Sequence, residues 1–523
     1  MSLPGPRAGV VTDADFDLIV IGSGFGGAMA ASPAVFAGKR VLMIEAGDWV
    51  VRGPHNWRPE GVSEKTPYYS RDAAFDVVAG GYGKTLGTYA CVGGASVFYG
   101  GVAMRMRERD FAPDPAIDAG SGARWPYTYA ELEPYYAEAE TLLQVAGVTG
   151  EDPTEPPRSG AYPQRPGPLA PISTRLADAA RALGLHPFRL PLAINYQPAD
   201  GRTPCPACST CDGFACAVLA KNDVSVVMVP RLQARGLRLA TNTRAVRLDY
   251  EHGRITGVVC HQRESPSPTT YKAKAVVVAA GALSSPRLLL ASGLARVNPA
   301  GAAIGRYLMR HCNAVVMGLF PSPPAPHREF HKQIGIHDYY FGHPSVATPT
   351  GRLGCLQQFA TPEPAIVRDY LPFGFGHLIA PLVSRTTGFI VMAEDKSRAE
   401  NAVEITGPAA PGCLPPASIT HRYDSRDLAA RDALVSVARR ILRKAGALTT
   451  YAHPIRTFSH ALGTVRLGLD AATSPLDAWG AFRGVENLYV TDASALPRAA
   501  GVNPSLTIAA NALRTGRHVL DRL

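Results

Sequence analysis

The stretch Phe16–Gly47, FDLIVIGSGFGGAMAASPAVFAGKRVLMIEAG, decides the fold. Its apolar run Leu18–Ile21 suits a strand buried on both faces. Gly22, Gly24 and Gly27 then occupy the glycine places of G-x-G-x-x-G. The first allows a tight turn, the second lets backbone approach a pyrophosphate, and the third lets helix pack on strand. The small residues Ala28, Ala30 and Ala31 continue as a helix whose N-terminal amides suit an anionic phosphate. A second buried strand, Arg40–Ile44, ends on Glu45, about 20 residues past the first glycine, where a ribose hydroxyl is gripped. Strand, glycines, helix, strand and acid in that order predict dinucleotide binding. Spacing alone does not separate one dinucleotide from another.

Working outward, a chain of 523 residues has room for two or more domains. Hydrophobic residues at 46% and charged residues at 18% give an ordinary globular balance with ample core. The net charge of +10 attracts anions. No run of basic residues interleaves with aromatics, which argues against nucleic acid. The first fifteen residues lack the charged and apolar regions of a secretory leader. No stretch offers the ~20 uninterrupted apolar residues of a membrane span. A cytoplasmic protein is expected.

Further along, residues 48–90 read as loop and short helix. Tyr89–Gly101, YACVGGASVFYGG, carries two glycine pairs that press backbone against something flat or bulky. Trp125–Leu142 has helical spacing, with Thr128 as N-cap. Ile172–Leu183 reads as a helix, and Leu237–Leu248 and Ile255–Cys260 as strands of a meander. Lys274–Ala280 is a parallel-type strand followed by a helix with Pro286 in its first turn and Gly293 as its stop. Asn313–Phe320, Ile334–Tyr340, Phe375–Ile379 and Gly388–Ala393 suggest an antiparallel sheet. Ser425–Ala445 is a strong amphipathic helix. Asn487–Val490 is a short buried strand with Asp492 after it, and Pro504–Leu520 is a helix.

Three pieces together resemble the glucose–methanol–choline (GMC) flavoprotein oxidoreductases: VIGSGFGG, closest to the cholesterol oxidase version of the fingerprint; GGASVFYGG; and SHALGTVRLG with NLYVTDASALPRAAGVNPSLTIAANALR. The resemblance implies FAD, and an α/β chain in which a Rossmann-type FAD-binding domain interleaves with an α+β substrate domain carrying an antiparallel sheet. The divisions expected are 1–304 for the FAD domain, with a cysteine-rich insertion near 201–221; 305–450 for the substrate domain; and 451–523 for a return to the FAD domain with the catalytic residues. It implies FAD contacts at Gly22, Gly24, Gly27, Glu45, Gly93, Gly94, Ser96, Tyr99, Gly100, Asp492, Pro504 and Ser505. Asp492 reads equally well as a turn cap. The Pro504 helix would aim its N-terminus at the pyrimidine end of the flavin and favour the reduced, anionic state. Phe98 falls where some relatives tether FAD through histidine, so non-covalent FAD is expected.

The family places two side chains over the flavin, here His460 and Asn503. Oxidising an alcohol requires a hydride acceptor and a base for the hydroxyl proton, and a neutral imidazole serves as that base. A neighbouring amide holds the hydroxyl. Asn503 before Pro504 also suits an N-cap. Any of His311, His331 and His377 is a further candidate to reach the substrate. The expected reaction is oxidation of CH–OH to a carbonyl in a sugar, amino sugar or other polyol, with dioxygen or another acceptor. A sterol or long-chain alcohol is the apolar alternative. Cys205, Cys208, Cys211 and Cys216, spaced C-x2-C-x2-C-x4-C, read as a cluster loop, a zinc knot, disulfides or packed thiols. No metal is the preferred expectation. With a metal, the chain would fit a flavoprotein subunit passing electrons to a partner.

Overall fold

The computed structural model describes residues 16–523 apart from 119, 199–200, 266, 328, 347–350 and 371–374; the stretch read above for a leader lies outside them. At its centre is a parallel sheet in the order Leu488–Val490, Ala273–Val278, Phe16–Ile21, Val41–Ile44, Arg238–Ala240. All six residues of the middle strand are buried, as the apolar run Leu18–Ile21 requires, and Asp17 near its start is paired with Lys274. The chain leaves that strand to one neighbour and reaches the other only much later. This reversal opens a crevice at the carboxyl ends, where Gly22, Glu45 and Asp492 follow their strands. The helix Phe25–Phe36 covers the sheet, and the final helix, Ser505–Leu520, packs on it so closely that a Cβ on Gly516 would lie 2.5 Å from the Ala30 carbonyl oxygen.

A second, antiparallel sheet is ordered Thr449–Pro454, Cys312–Leu319, Thr386–Ala393, Gly354–Phe359, Ile334–Ile336, Phe188–Arg189; only this last pair lies far upstream in the chain. Ala393 stands opposite both Cys312 and Gly354, which aligns the ends of three strands. The helix Ser425–Lys444 buries Ala430, Leu434, Val437, Ala438 and Ile441 in one core with this sheet and with the helix Pro171–Arg181. Asp424 caps it in a box with Asp427, and Arg443 and Lys444 sit in its last turn, where the dipole favours cations. Sheet membership thus crosses residues 304 and 450, because Phe188–Arg189 and Thr449–Pro454 both pair into the antiparallel layer.

Three expectations fail locally. Residues 48–90 hold two strands, Tyr69–Ala79 and Thr85–Tyr89, joined through Gly80 in a left-handed conformation. They pair with each other antiparallel, the first also pairs in parallel with the distant strand Ala417–Thr420, and their faces are only partly buried, so no clean alternation marks them. Phe375–Ile379 belongs to a helix, Phe375–Val383, whose apolar residues at 375, 378, 379, 382 and 383 follow helical spacing. Leu237–Leu248 splits at Asn242. Arg238–Ala240 joins the parallel sheet, and Thr243–Glu251 starts a meander with Arg254–Gln262 and Thr269–Tyr271.

Candidate active site

The fingerprint glycines divide by what demands them. A Cβ on Gly22 would lie 2.3 Å from the Ala279 carbonyl oxygen, and one on Gly27 would lie 1.9 Å from that of Gly22. Protein packing forbids both. A Cβ on Gly24 would meet nothing nearer than the Gly93 carbonyl oxygen at 3.8 Å, and its φ of −69° suits any residue. The protein itself tolerates a side chain at Gly24, so the glycine answers to something that approaches from outside, as a pyrophosphate would. Gly94 faces Gly24 across an equally open 3.8 Å, with a positive φ that favours glycine.

Glu45 stands at the next strand end. Its carboxylate accepts from Ser23 Oγ at 2.6 Å, Ser23 N at 3.2 Å and Gly47 N at 3.1 Å. These three use part of a carboxylate's ~4 acceptor positions, and a ribose hydroxyl fits the remainder. Burial raises the carboxyl above its usual range, which added donors oppose. Ser23 Oγ also accepts from Gly93 N at 2.9 Å, tying the fingerprint to the second glycine segment. These residues fit the dinucleotide end of FAD.

Other predicted contacts commit their side chains to the protein. Ser96 Oγ donates to the Gly93 carbonyl at 2.7 Å, and Tyr99 OH donates to that of Asn222 at 3.1 Å. The Asp492 carboxylate accepts from Ser494 N at 2.8 Å, Gly281 N at 2.9 Å and the Ser285 hydroxyl, the turn-capping role. Ser505 Oγ donates to the Val102 carbonyl at 3.0 Å, which sets the N-terminus of the last helix against the residue that follows Gly100 and Gly101. That helix is capped by Pro504, not by Asn503. Pro504 already has helical backbone angles, so Asn503 falls one position too early to cap, and its side chain is used elsewhere. Gly100 carries the ammonium of Lys332 close by: a Cβ there would lie 2.7 Å from Nζ, and Lys332 pairs with Asp212 at 2.5 Å.

His460 is held through His311. His311 Nε2 lies 3.1 Å from the Ala499 carbonyl oxygen, and His311 Nδ1 lies 3.2 Å from His460 Nδ1, with the rings edge to face. A carbonyl only accepts, so His311 carries its proton on Nε2. Burial keeps His311 neutral, lowering its pKa, so its Nδ1 is an acceptor. His460 must therefore donate from Nδ1, which leaves its Nε2 lone pair free. Burial, then His311 and Lys332, push the His460 imidazole down to about 3. The ring is neutral across the working range, with the base-competent nitrogen selected.

Asn503 is held by the other strand. Its Oδ1 accepts from Gln357 Nε2 at 2.6 Å, which leaves its amide nitrogen without a protein partner among the described residues. Gln357 is fully buried on Gly354–Phe359. The segment between is fixed by Glu394 Oε1, which accepts from Ala500 N at 3.2 Å, and by Tyr340 OH, which accepts from Gly501 N at 2.9 Å. Asp395 accepts from both Arg310 N and His311 N at 3.0 Å, supporting His311 at a positive φ of 62°. His331 instead accepts from Thr361 N at 2.9 Å, and His377 is exposed on its helix. Gln357, Lys332, Asp212 and Glu394 carried no sequence signal of their own, although Asp212 lies within the cysteine loop.

A parallel sheet with a dinucleotide fingerprint at its carboxyl ends, and a neutral, buried imidazole with one free ring nitrogen, suit a dinucleotide-dependent oxidoreductase. Profiles of the GMC oxidoreductase family match residues 88–313 and 397–512. Paromamine 6′-oxidase of Streptomyces fradiae is 34% identical over 98% of this chain and 92% of its own. The 6‴-hydroxyparomomycin C oxidase of Streptomyces lividus is 31% identical over 99% and 94%. Pyridoxine 4-oxidase from "Mesorbium loti" shares the fold, with a TM-score of 0.68 at 19% identity over 96% of this chain and 99% of that one. The chain belongs to the GMC oxidoreductase family, and it is an FAD-dependent alcohol oxidoreductase. Both of these full-length relatives are oxidases named for aminoglycoside-type substrates, and the cholesterol oxidase subtype expected from the fingerprint is not among what these comparisons show. Among the described residues no helix is long and apolar enough to cross a membrane.

Proposed function

We propose that this enzyme oxidises an alcohol carbon of an amino sugar, with His460 as the base and Asn503 as the hydroxyl holder. FAD, when bound, supplies the hydride acceptor. The chain's own part is to place the hydroxyl and take its proton. His460 Nε2 receives the proton, because Nδ1 is committed to His311. The Asn503 amide, its oxygen held by Gln357, presents N–H to the substrate oxygen and stabilises the negative charge that grows there. Such a base contributes about 10²–10⁴-fold in rate. The observation that carries this reading is the chain Ala499–His311–His460, which fixes the tautomer.

The amino-sugar substrate rests on the two aminoglycoside oxidases that align along nearly the whole chain. Non-covalent FAD rests on Phe98, which is buried and stacked on Tyr89 at 5.3 Å and offers no nucleophile. Anaerobic mixing with paromamine, other amino sugars, neutral sugars, sterols and fatty alcohols tests the substrate class. Flavin bleaching by amino sugars ahead of the rest is expected. Bleaching by sterols or fatty alcohols alone would overturn it.

A further inference from the structure

We propose, resting on the amino-sugar reading, that Asp212 holds an ammonium group of the substrate and that the cysteine loop serves to aim its carboxylate. Asp212 stands at the second glycine segment: a Cβ on Gly100 would lie 2.9 Å from its Oδ1 and 2.7 Å from Lys332 Nζ. The charges of Lys332 and Asp212 both act on the His460 ring, so the pair and the base share one site. Lys332 pairs with Asp212 Oδ2 at 2.5 Å, and Oδ1 has no protein partner among the described residues.

A cationic substrate needs a local anion here, because the chain as a whole carries +10 and repels it. The other carboxylates around the site are spent within the protein. Glu394 is buried against Arg352 and Ala500 N, Asp395 is buried against Arg310 N, His311 N and His421, and Asp492 caps its turn. The Asp212 side chain is 31% exposed, whereas that of Lys332 is 5% exposed. A ligand therefore meets the carboxylate, with the lysine behind it. Lys332 does not cancel the site. Burial opposes a charge on Asp212, and Lys332 overcomes that, holding the carboxyl below the usual carboxylate range. The lysine keeps the carboxylate ionised, fixes Oδ2 and leaves Oδ1 to accept from an ammonium N–H, a charge-assisted bond.

The backbone holds Asp212 from both sides. Lys221, 1% exposed, donates to the Cys211 carbonyl at 3.0 Å, and to those of Phe214 at 2.6 Å and Tyr99 at 2.7 Å. Gly213 N donates to the Phe98 carbonyl at 2.9 Å, and the Gly213 carbonyl accepts from Ser63 N at 2.7 Å. Phe330 N donates to the Ala207 carbonyl at 2.7 Å, which ties the cysteine loop to the segment that carries Lys332. None of Cys205, Cys208, Cys211 and Cys216 is in a disulfide. Burial pushes Cys205 up to about 11 and Cys211 up to about 12, so both are neutral thiols, and both pack against the main core. A carboxylate fixed before its ligand arrives loses little freedom on binding. The cysteines thus act as packing beneath a recognition residue.

The test is anaerobic flavin bleaching of the FAD-loaded enzyme, near neutral pH, by paromamine and by its N-acetylated form, which keeps the hydroxyls and loses the charge. Half-saturation is read for each, by competition against paromamine where a compound is not oxidised. In Asp212→Asn the paromamine half-saturation should rise about 10- to 100-fold, the worth of a hydrogen bond to a charged group. The preference for paromamine over the N-acetylated form should shrink by the same factor. Asp212→Asn leaves the Lys332 ammonium unpaired, so Asp212→Asn combined with Lys332→Met, a neutral pair, decides where the single variant does not fold or loses FAD; the same loss is expected. A paromamine half-saturation within about threefold of the parent in the deciding variant overturns the inference, as does an equal rise for both compounds. Either result leaves the amino-sugar reading standing, since bleaching of the parent decides that. A parent bleached only by uncharged alcohols overturns both.

Discussion

Replacing His311 tests the proton logic most directly. His311→Ala leaves the Ala499 carbonyl and the His460 Nδ1–H without their partner. Each buried polar group left unpaired costs about 1–3 kcal/mol. If one such loss falls on the reactive tautomer of His460, the reductive step slows about 5- to 150-fold, at about 1.4 kcal/mol per tenfold. Two further variants separate orientation from packing. In His311→Asn the amide oxygen stands near the place of Nδ1 and restores the acceptor toward His460, and asparagine accepts the left-handed backbone at this position. In His311→Gln the longer amide reaches toward Ala499 instead. Stopped-flow flavin reduction without oxygen, at matched FAD content, should therefore rank parent, Asn, then Gln and Ala. Equal rates in all four, or Gln faster than Asn, would refute the tautomer argument.

His460→Ala should keep FAD and slow flavin reduction about 10²–10⁴-fold, read in the same stopped-flow experiment. Because the His460 pKa lies near 3, the base is unprotonated above that value, so kcat/KM should show no acid limb from this group between pH 5 and 8. An acid limb near 6.5 that disappears in His460→Ala would contradict this. Lys332→Met removes a cation that lowers the imidazole pKa, so any acid limb should move upward in pH. Gly24→Val should abolish FAD binding while leaving the melting temperature of the apoprotein within a few degrees of parent. Gly27→Val, whose Cβ meets backbone, should destabilise the apoprotein by more than about 2 kcal/mol in urea titration.

Much of this molecule was legible in the chain. The Phe16–Gly47 reading named the strand, turn, helix and acid, because strand burial and glycine stereochemistry are local properties that leave local traces. The Thr128 cap and the face of Ser425–Lys444 were legible for the same reason. The strand Tyr69–Ala79 was not, because one of its partners lies far along the chain and its faces are only half-buried. Phe375–Val383 shows that a short apolar segment fits two periods until its full length is seen.

The sequence by itself determined the dinucleotide crevice, the likeness to flavoprotein oxidoreductases, and the identity of His460 and Asn503 as candidates. Only the tertiary structure decided which nitrogen of His460 is free, that Gln357 turns the Asn503 amide, and that Lys332 and Asp212 stand at Gly100. The reason is physical. A side chain's type is written at its own position, whereas its tautomer, orientation and field are set by partners that folding brings from elsewhere: Ala499 beside His311, strand Gly354–Phe359 beside Asn503, and the cysteine loop beside the glycine segment.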